Sequence, residues 1–144
     1  MEIDSKAYGR ITIDERQLVL FPGGLYGFEG FTEYALLDAH KKPFYWLQSL
    51  QSTQVAFVLM NPYLFRPDYL LEIPDEDLER IGNPESDDIL VFAIVTIPTE
   101  GGEVTANLQG PLVINRKART GIQSISLNPR WHTRHAILQE MAKQ

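Results

Sequence analysis

The sequence predicts a mainly β protein, a small β-barrel-like domain of short antiparallel strands with one or two short helices, filling residues 1–144 as a single domain. Three observations carry that expectation. Short β-prone runs recur along the chain between turn signals built from Gly, Pro, Asn and Asp. One run, Ile89–Ile97, is apolar almost throughout and rich in β-branched residues, as a central strand covered on both faces must be. Only Pro74–Ile81 carries clear helix signals at both ends. About nine or ten short strands with so little helix point to a barrel or a strongly bent sandwich.

Taken in order, Tyr8–Ile13 alternates, with Ile11 and Ile13 on one face, and Gln17–Phe21 follows after the polar Asp14-Glu15-Arg16; this spacing predicts a hairpin. Phe21–Gly30 holds four glycines and a proline in ten residues and cannot be a regular element. Strands are expected over Tyr34–Ala39, Phe44–Leu50, Val55–Met60 and Tyr69–Ile73. In Pro74–Ile81 the acidic Asp75-Glu76-Asp77 suits a helix N-terminus, Leu78 and Ile81 share a face, and Gly82 ends the helix. Gly101-Gly102 reads as the turn of a hairpin from Ile89–Ile97 into Val104–Leu108. Leu112–Asn115 and Ile122–Leu127 are the last expected strands. Arg134–Lys143 is expected to close the chain as a short helix. Pro43, Pro62, Pro98 and Pro111 fall at strand ends, where they stop pairing at little cost.

Composition narrows the function classes. At 44% hydrophobic and 22% charged residues the chain reads as globular, not disordered. The absence of cysteine excludes disulfides, thiolate nucleophiles and cysteine-ligated zinc. The first ten residues lack the basic and apolar blocks of a secretory leader, and the longest apolar run is about half a membrane span, so a soluble, cytoplasmic protein without a membrane partner is expected. The net charge of −6 is uneven: residues 61–100 carry ten acidic and two basic side chains, residues 101–144 two acidic and six basic. An acidic middle argues against direct binding of nucleic acid and favours a basic protein partner; it equally serves to keep a domain soluble.

No catalytic constellation is legible. None of the six serines sits in G-x-S-x-G, and the glycine cluster lacks both G-x-G-x-x-G and a G-K-[ST] ending. His132 and His135 are three apart, but His40 is the only other histidine, so they read as surface or capping residues, and no metal, cofactor or small-molecule substrate is expected. The enzyme alternative is a small hydrolase or sugar-acting barrel with paired carboxylates. It needs two carboxylates about 5–10 Å apart across a deep cleft, and Asp75, Glu76, Asp77, Asp87 and Asp88 are the candidates. Aromatics in or next to turn-rich segments, Phe21, Tyr26, Phe28, Phe31, Tyr63, Phe65, Tyr69 and Trp131, are either plugs at barrel ends or anchors for a partner.

The stretch Thr105-Ala106-Asn107-Leu108-Gln109-Gly110-Pro111-Leu112-Val113-Ile114-Asn115 resembles the signature of the FliW family of flagellar assembly factors. Phe21-Pro22-Gly23-Gly24-Leu25 with Gly27-Phe28-Glu29, Leu47-Gln48-Ser49, Asn61-Pro62, Pro67-Asp68-Tyr69 and Arg134-His135 are similar to that family in order and spacing, over almost the whole chain. Gly110 stands where alanine is expected and Tyr26 where proline is common. The resemblance implies a non-enzymatic, barrel-like protein with two partners. One is flagellin, held in a chaperone-like manner before export; the other is CsrA, an RNA-binding translational repressor that the protein antagonises, so that export and translation are coupled. On this reading Glu72, Asp75, Glu76, Asp77, Glu79, Asp87 and Asp88 face CsrA, and an amphipathic end of flagellin lies on Phe21, Leu25, Tyr63, Phe65 or Tyr69. Asn107 is expected to be a buried amide that holds backbone groups at a strand bend.

Overall fold

The computed structural model describes residues 1–143. A two-stranded hairpin, β1 (Glu2–Ser5) and β2 (Gly9–Thr12), stands apart from a larger sheet. That sheet runs through β3 (Leu18–Leu20), β4 (Glu33–Asp38), β5 (Tyr45–Ser49), β6 (Ala56–Met60), β7 (Ile89–Thr96) and β8 (Thr105–Asn115), each antiparallel to the next. β9 (Thr120–Gln123) pairs antiparallel with the second half of β8 and parallel with β3 at Leu20 opposite Thr120, which closes a barrel of seven strands. β10 (His135–Ala136) adds to the start of β8, and two short helices, α1 (Asp75–Arg80) and α2 (Ile137–Ala142), complete the described elements.

Alternation along the strands divides the apolar residues between the inside and the outside of this barrel. Leu90, Phe92 and Ile94 of β7 join Val19, Tyr34, Leu47, Leu59 and Ile114 in one cluster drawn from six strands, the barrel interior. The intervening Val91, Ala93 and Val95 belong to a second cluster with Phe65, Tyr69 and Trp131, so β7 is covered on both faces as its sequence predicts. Three segments wrap the outside. The β1–β2 hairpin brings Ile3 and Ile13 onto Ala35 and Leu37 of β4. Residues 61–69 and 131–137 cover β7 and β8, and residues 71–81 set Ile73 and Ile81 on Val113 of β8. Each fully buried large side chain stabilises the fold by roughly 1.5–3 kcal/mol relative to exposure.

Several expected elements move. The strand over 9–12 pairs backwards with β1, not forwards with β3. The polar linker forms a single 3₁₀ turn in which Asp14 accepts from the Arg16 N–H and Gln17 Oε1 accepts from the Asp14 N–H, re-aiming the chain. Tyr69–Ile73 is not a strand; its backbone meets the chain after β9 through one bond, from the Leu127 N–H to the Glu72 carbonyl. Val104–Leu108 and Leu112–Asn115 are one strand, β8. Pro111 lies inside it because the register with β7 slips between Phe92 and Ile94, an irregularity where no ladder donor is needed from Pro111. The strand expected over Ile122–Leu127 is β9 and ends at Gln123, and Arg134–Lys143 splits into β10 and α2, which buries Ile137 but exposes Leu138 and Met141. The helix expected at 74–81 is α1, its acidic first turn facing a dipole end and Gly82 following it at φ +88°.

Candidate functional site

The acidic segment folds as α1 and the loop after it, held on β8 and β9 by Ile73, Leu78 and Ile81. Of the seven acidic residues singled out above, Asp75, Glu76, Glu79 and Asp87 are exposed and form no ion pair among the described residues. The other three are engaged within the chain. Asp77 accepts from the Ser124 hydroxyl at 2.6 Å and lies 3.9 Å from Arg80. Asp88 is buried between Arg116 at 2.9 Å and Lys117 at 3.4 Å. Glu72 accepts from the Asn128 amide. Negative charge without a cationic partner among the described residues therefore lies on the outer face of α1, at Asp87 and at Glu72.

Between α1 and the glycine-rich turn runs a cleft of about 400 Å³ with Leu25, Ile81 and Ile122 among its lining and Tyr26, Glu29, Asp77 and Arg80 around them. Close approach requires two glycines here, one in the turn and one on β9. At Gly24, with φ +67°, an added Cβ would stand 2.5 Å from the Glu29 backbone; at Gly121 one would stand 2.7 Å from the Phe21 ring. Gln123 fixes the turn by accepting from the Tyr26 N–H and donating to the Gly110 carbonyl. No Ser, Thr, Cys, His or Lys side chain lines the cleft, and of its two carboxylates Asp77 is already bonded to Ser124 while Glu29 accepts from the Gly27 N–H.

The expected aromatic anchors divide sharply. Phe21, Leu25, Phe65 and Tyr69 are at most 1% exposed, Phe21 and Leu25 in the barrel interior and Phe65 and Tyr69 in the outer cluster, where the Tyr69 hydroxyl donates to the Leu108 carbonyl. A partner cannot touch Phe21, Phe65 or Tyr69 without opening the fold, and Leu25 offers only the edge that lines the cleft. Tyr63 alone of the five reaches the surface, and beside it Leu64 is 53% exposed. Two other turn-segment aromatics are exposed, Tyr26 at the cleft and Phe28 in the same turn, and so are three aliphatic residues that the sequence did not single out, Leu70 before α1 and Ile125 and Leu127 after β9.

A second charged cluster lies near the C-terminus and also corrects the sequence reading. His135 is buried, not a surface residue: its Nε2 accepts from the His132 N–H, which leaves the proton on Nδ1 to donate to Glu140 at 2.9 Å. Burial pushes the His135 imidazole below its ordinary range, against the pull of Glu140, so the ring is neutral. Burial also opposes ionisation of Glu140, but bonds from Arg66 and His135 outweigh it and hold that carboxyl low. Arg66 bonds Asp68 as well and holds its carboxyl down at about 2, while Arg130 pairs with the same Asp68. Arg66 and Arg130 each lie 4.7 Å from the Trp131 ring. On β8, Asn107 is half-buried and accepts from the N–H groups of Gln109 and Gly110 at the bend before Pro111. An alanine Cβ at Gly110 would crowd Gln123 at 2.9 Å.

Residues 2–137 match the family model described as FliW protein. The chain belongs to the FliW family. Relatives named flagellar assembly factor FliW include a protein of Treponema denticola, 49% identical over 98% of this chain and 96% of its own length. Another, from Treponema pallidum, is 45% identical over all of this chain and 96% of its own. The structure is similar to a crystal structure of the flagellar assembly factor FliW, with a TM-score of 0.86, 34% identity, and coverage of 95% of this chain and 96% of that one. The FliW barrel is thus the frame on which the acidic helix, the cleft and the C-terminal cluster are carried. None of the helices among the described residues is long and apolar enough to cross a membrane.

Proposed function

We propose that this FliW-family chain is a non-enzymatic, cytoplasmic regulator of flagellum assembly that binds two proteins in turn, the translational repressor CsrA and flagellin. Capture of CsrA relieves repression of flagellin synthesis; bound flagellin occupies the protein until export frees it. The observation that carries the reading is the unpaired acidic face, with Asp75, Glu76, Glu79 and Asp87 all exposed and committed to no cation among the described residues. Charges kept free on a short, well-packed helix steer a basic RNA-binding protein and raise the cost of bringing a phosphate backbone close. Their field reaches about 8–10 Å at physiological salt. For flagellin, the exposed Tyr63 and Leu64 are the contact points in place of the buried aromatics, and each good anchor contributes roughly 1–2 kcal/mol.

The test is direct mixing of the pure protein with purified CsrA and with purified flagellin. Complex formation with each, and loss of the flagellin complex when CsrA is in excess, is expected. Reversing Asp75, Glu76, Glu79 and Asp87 to lysine should slow association with CsrA by about tenfold or more at low salt while the melting temperature stays near that of the parent. Failure of the parent protein to bind either partner overturns the reading.

A further inference from the structure

We propose that the cleft between the glycine-rich turn and α1 receives one apolar side chain carried on a positively charged segment of a protein partner. This rests on the reading that the acidic face meets a basic protein, and it names where that partner is anchored.

The size and chemistry of the cleft select the occupant. Its volume of about 400 Å³ sits at the low end of the range for ligand pockets and suits an inserted side chain with some flanking backbone. Leu25 and Ile81 are at most 2% exposed, and Ile122 adds a third aliphatic surface. The walls at Gly23, Gly24 and Gly121 carry no side chains, and two of those glycines are held by close approach to the Glu29 backbone and the Phe21 ring, so the cavity is preformed. The buried and half-buried polar groups of the lining are already bonded within the chain. Gln123, the buried polar side chain of the lining, is spent on the Tyr26 N–H and the Gly110 carbonyl, and Asp77 on Ser124.

Charge then chooses the flanks. Glu29 and Asp77 line the cleft, and Asp75, Glu76 and Glu79 add unpaired negative charge from the same helix. The one cation in the lining, Arg80, is 71% exposed and reaches Asp77 only at 3.9 Å. An incoming Lys or Arg beside the apolar anchor competes for the same carboxylate. Tyr26, 59% exposed at the rim, offers a ring for either the anchor or the cation.

Gly23 supplies a clean test, because a Cβ there meets nothing within 4 Å and its backbone lies outside the positive-φ region. Gly23→Phe adds a bulky side chain at a wall of the cleft that has none. With purified CsrA as the probe and both rate constants measured, this variant should dissociate about tenfold faster or more, with association within about twofold of the parent. Arg80→Ala should bind more tightly, by about threefold, since it removes the competing cation. Should Gly23→Phe fail to fold, Tyr26→Ala, at an exposed ring, decides the same point by faster dissociation. If these variants fold and dissociate at the parental rate while charge reversal on α1 still slows association, the cleft proposal falls and the acidic-face reading stands. If the parent does not bind CsrA at all, both fall.

Discussion

The two charged regions of this barrel use their charges in opposite ways. Near the C-terminus Arg66, Asp68, Arg130, His135 and Glu140 are tied to one another and to Trp131, across segments more than sixty residues apart in sequence. On α1, Asp75, Glu76 and Glu79 form no ion pair among the described residues. The first arrangement fastens the segment around Arg66 and Asp68 to the segment from Arg130 to Glu140; the second leaves a field for an approaching molecule. Charge density alone does not separate a structural cluster from a recognition surface, but the partners of each charge do.

The sharpest way to break this contrast is at Trp131, 2% exposed between two guanidinium groups. Trp131→Ala should cost about 3–5 kcal/mol and lower the melting temperature by roughly 10 °C or more, read by calorimetry. Arg66→Ala comes next, at about 2–3 kcal/mol, since it strips Glu140 and Asp68 of a shared cation whose side chain is only 16% exposed. Neither change should alter the rate of association with CsrA beyond the loss of folded protein. Unchanged stability in both would mean that the C-terminal cluster is as free as the acidic helix.

Acidification gives a smaller effect with a definite sign. Burial depresses the folded His135, whereas the unfolded chain takes up that proton near the ordinary value of about 6.5. The unfolded state thus binds more protons below that pH, and stability should fall as pH drops from about 6.5 through the folded value. Protonation would also set an N–H against the His132 N–H that Nε2 now accepts. Thermal melts from pH 7 to 5 should show the decline, and His135→Asn should flatten it. Smallest in stability is Tyr63→Ala, expected at about 1 kcal/mol or less because its ring is partly exposed, but with weakened flagellin binding; an equal loss of fold would make Tyr63 another plug.

Much of the frame was legible in the residues. The apolar, β-branched Ile89–Ile97 and the Gly101-Gly102 turn lead to β7 and its hairpin with β8, and the acidic start and Gly82 bound α1. What was not legible depended on tertiary contact. β1 is four residues long with only Ile3 and Ser5 turned inward, too little alternation to stand out beside its charges. The capping arrangement at Asp14 and Gln17 looked like a hairpin turn because both use polar residues between apolar runs. Aromatics next to Gly and Pro carry the same signal whether they plug or protrude; only burial separates Phe65 and Tyr69 from Tyr63. The acidic run was visible, but not that Asp88 would be consumed by Arg116 and Lys117, or Asp77 by Ser124, while Asp75, Glu76 and Glu79 stay free.

The most direct measurement is the rate of association between the pure protein and CsrA across a series of salt concentrations. A field set by the free carboxylates on α1 predicts association that slows steeply as ionic strength rises, with dissociation nearly constant. Association indifferent to salt would contradict it.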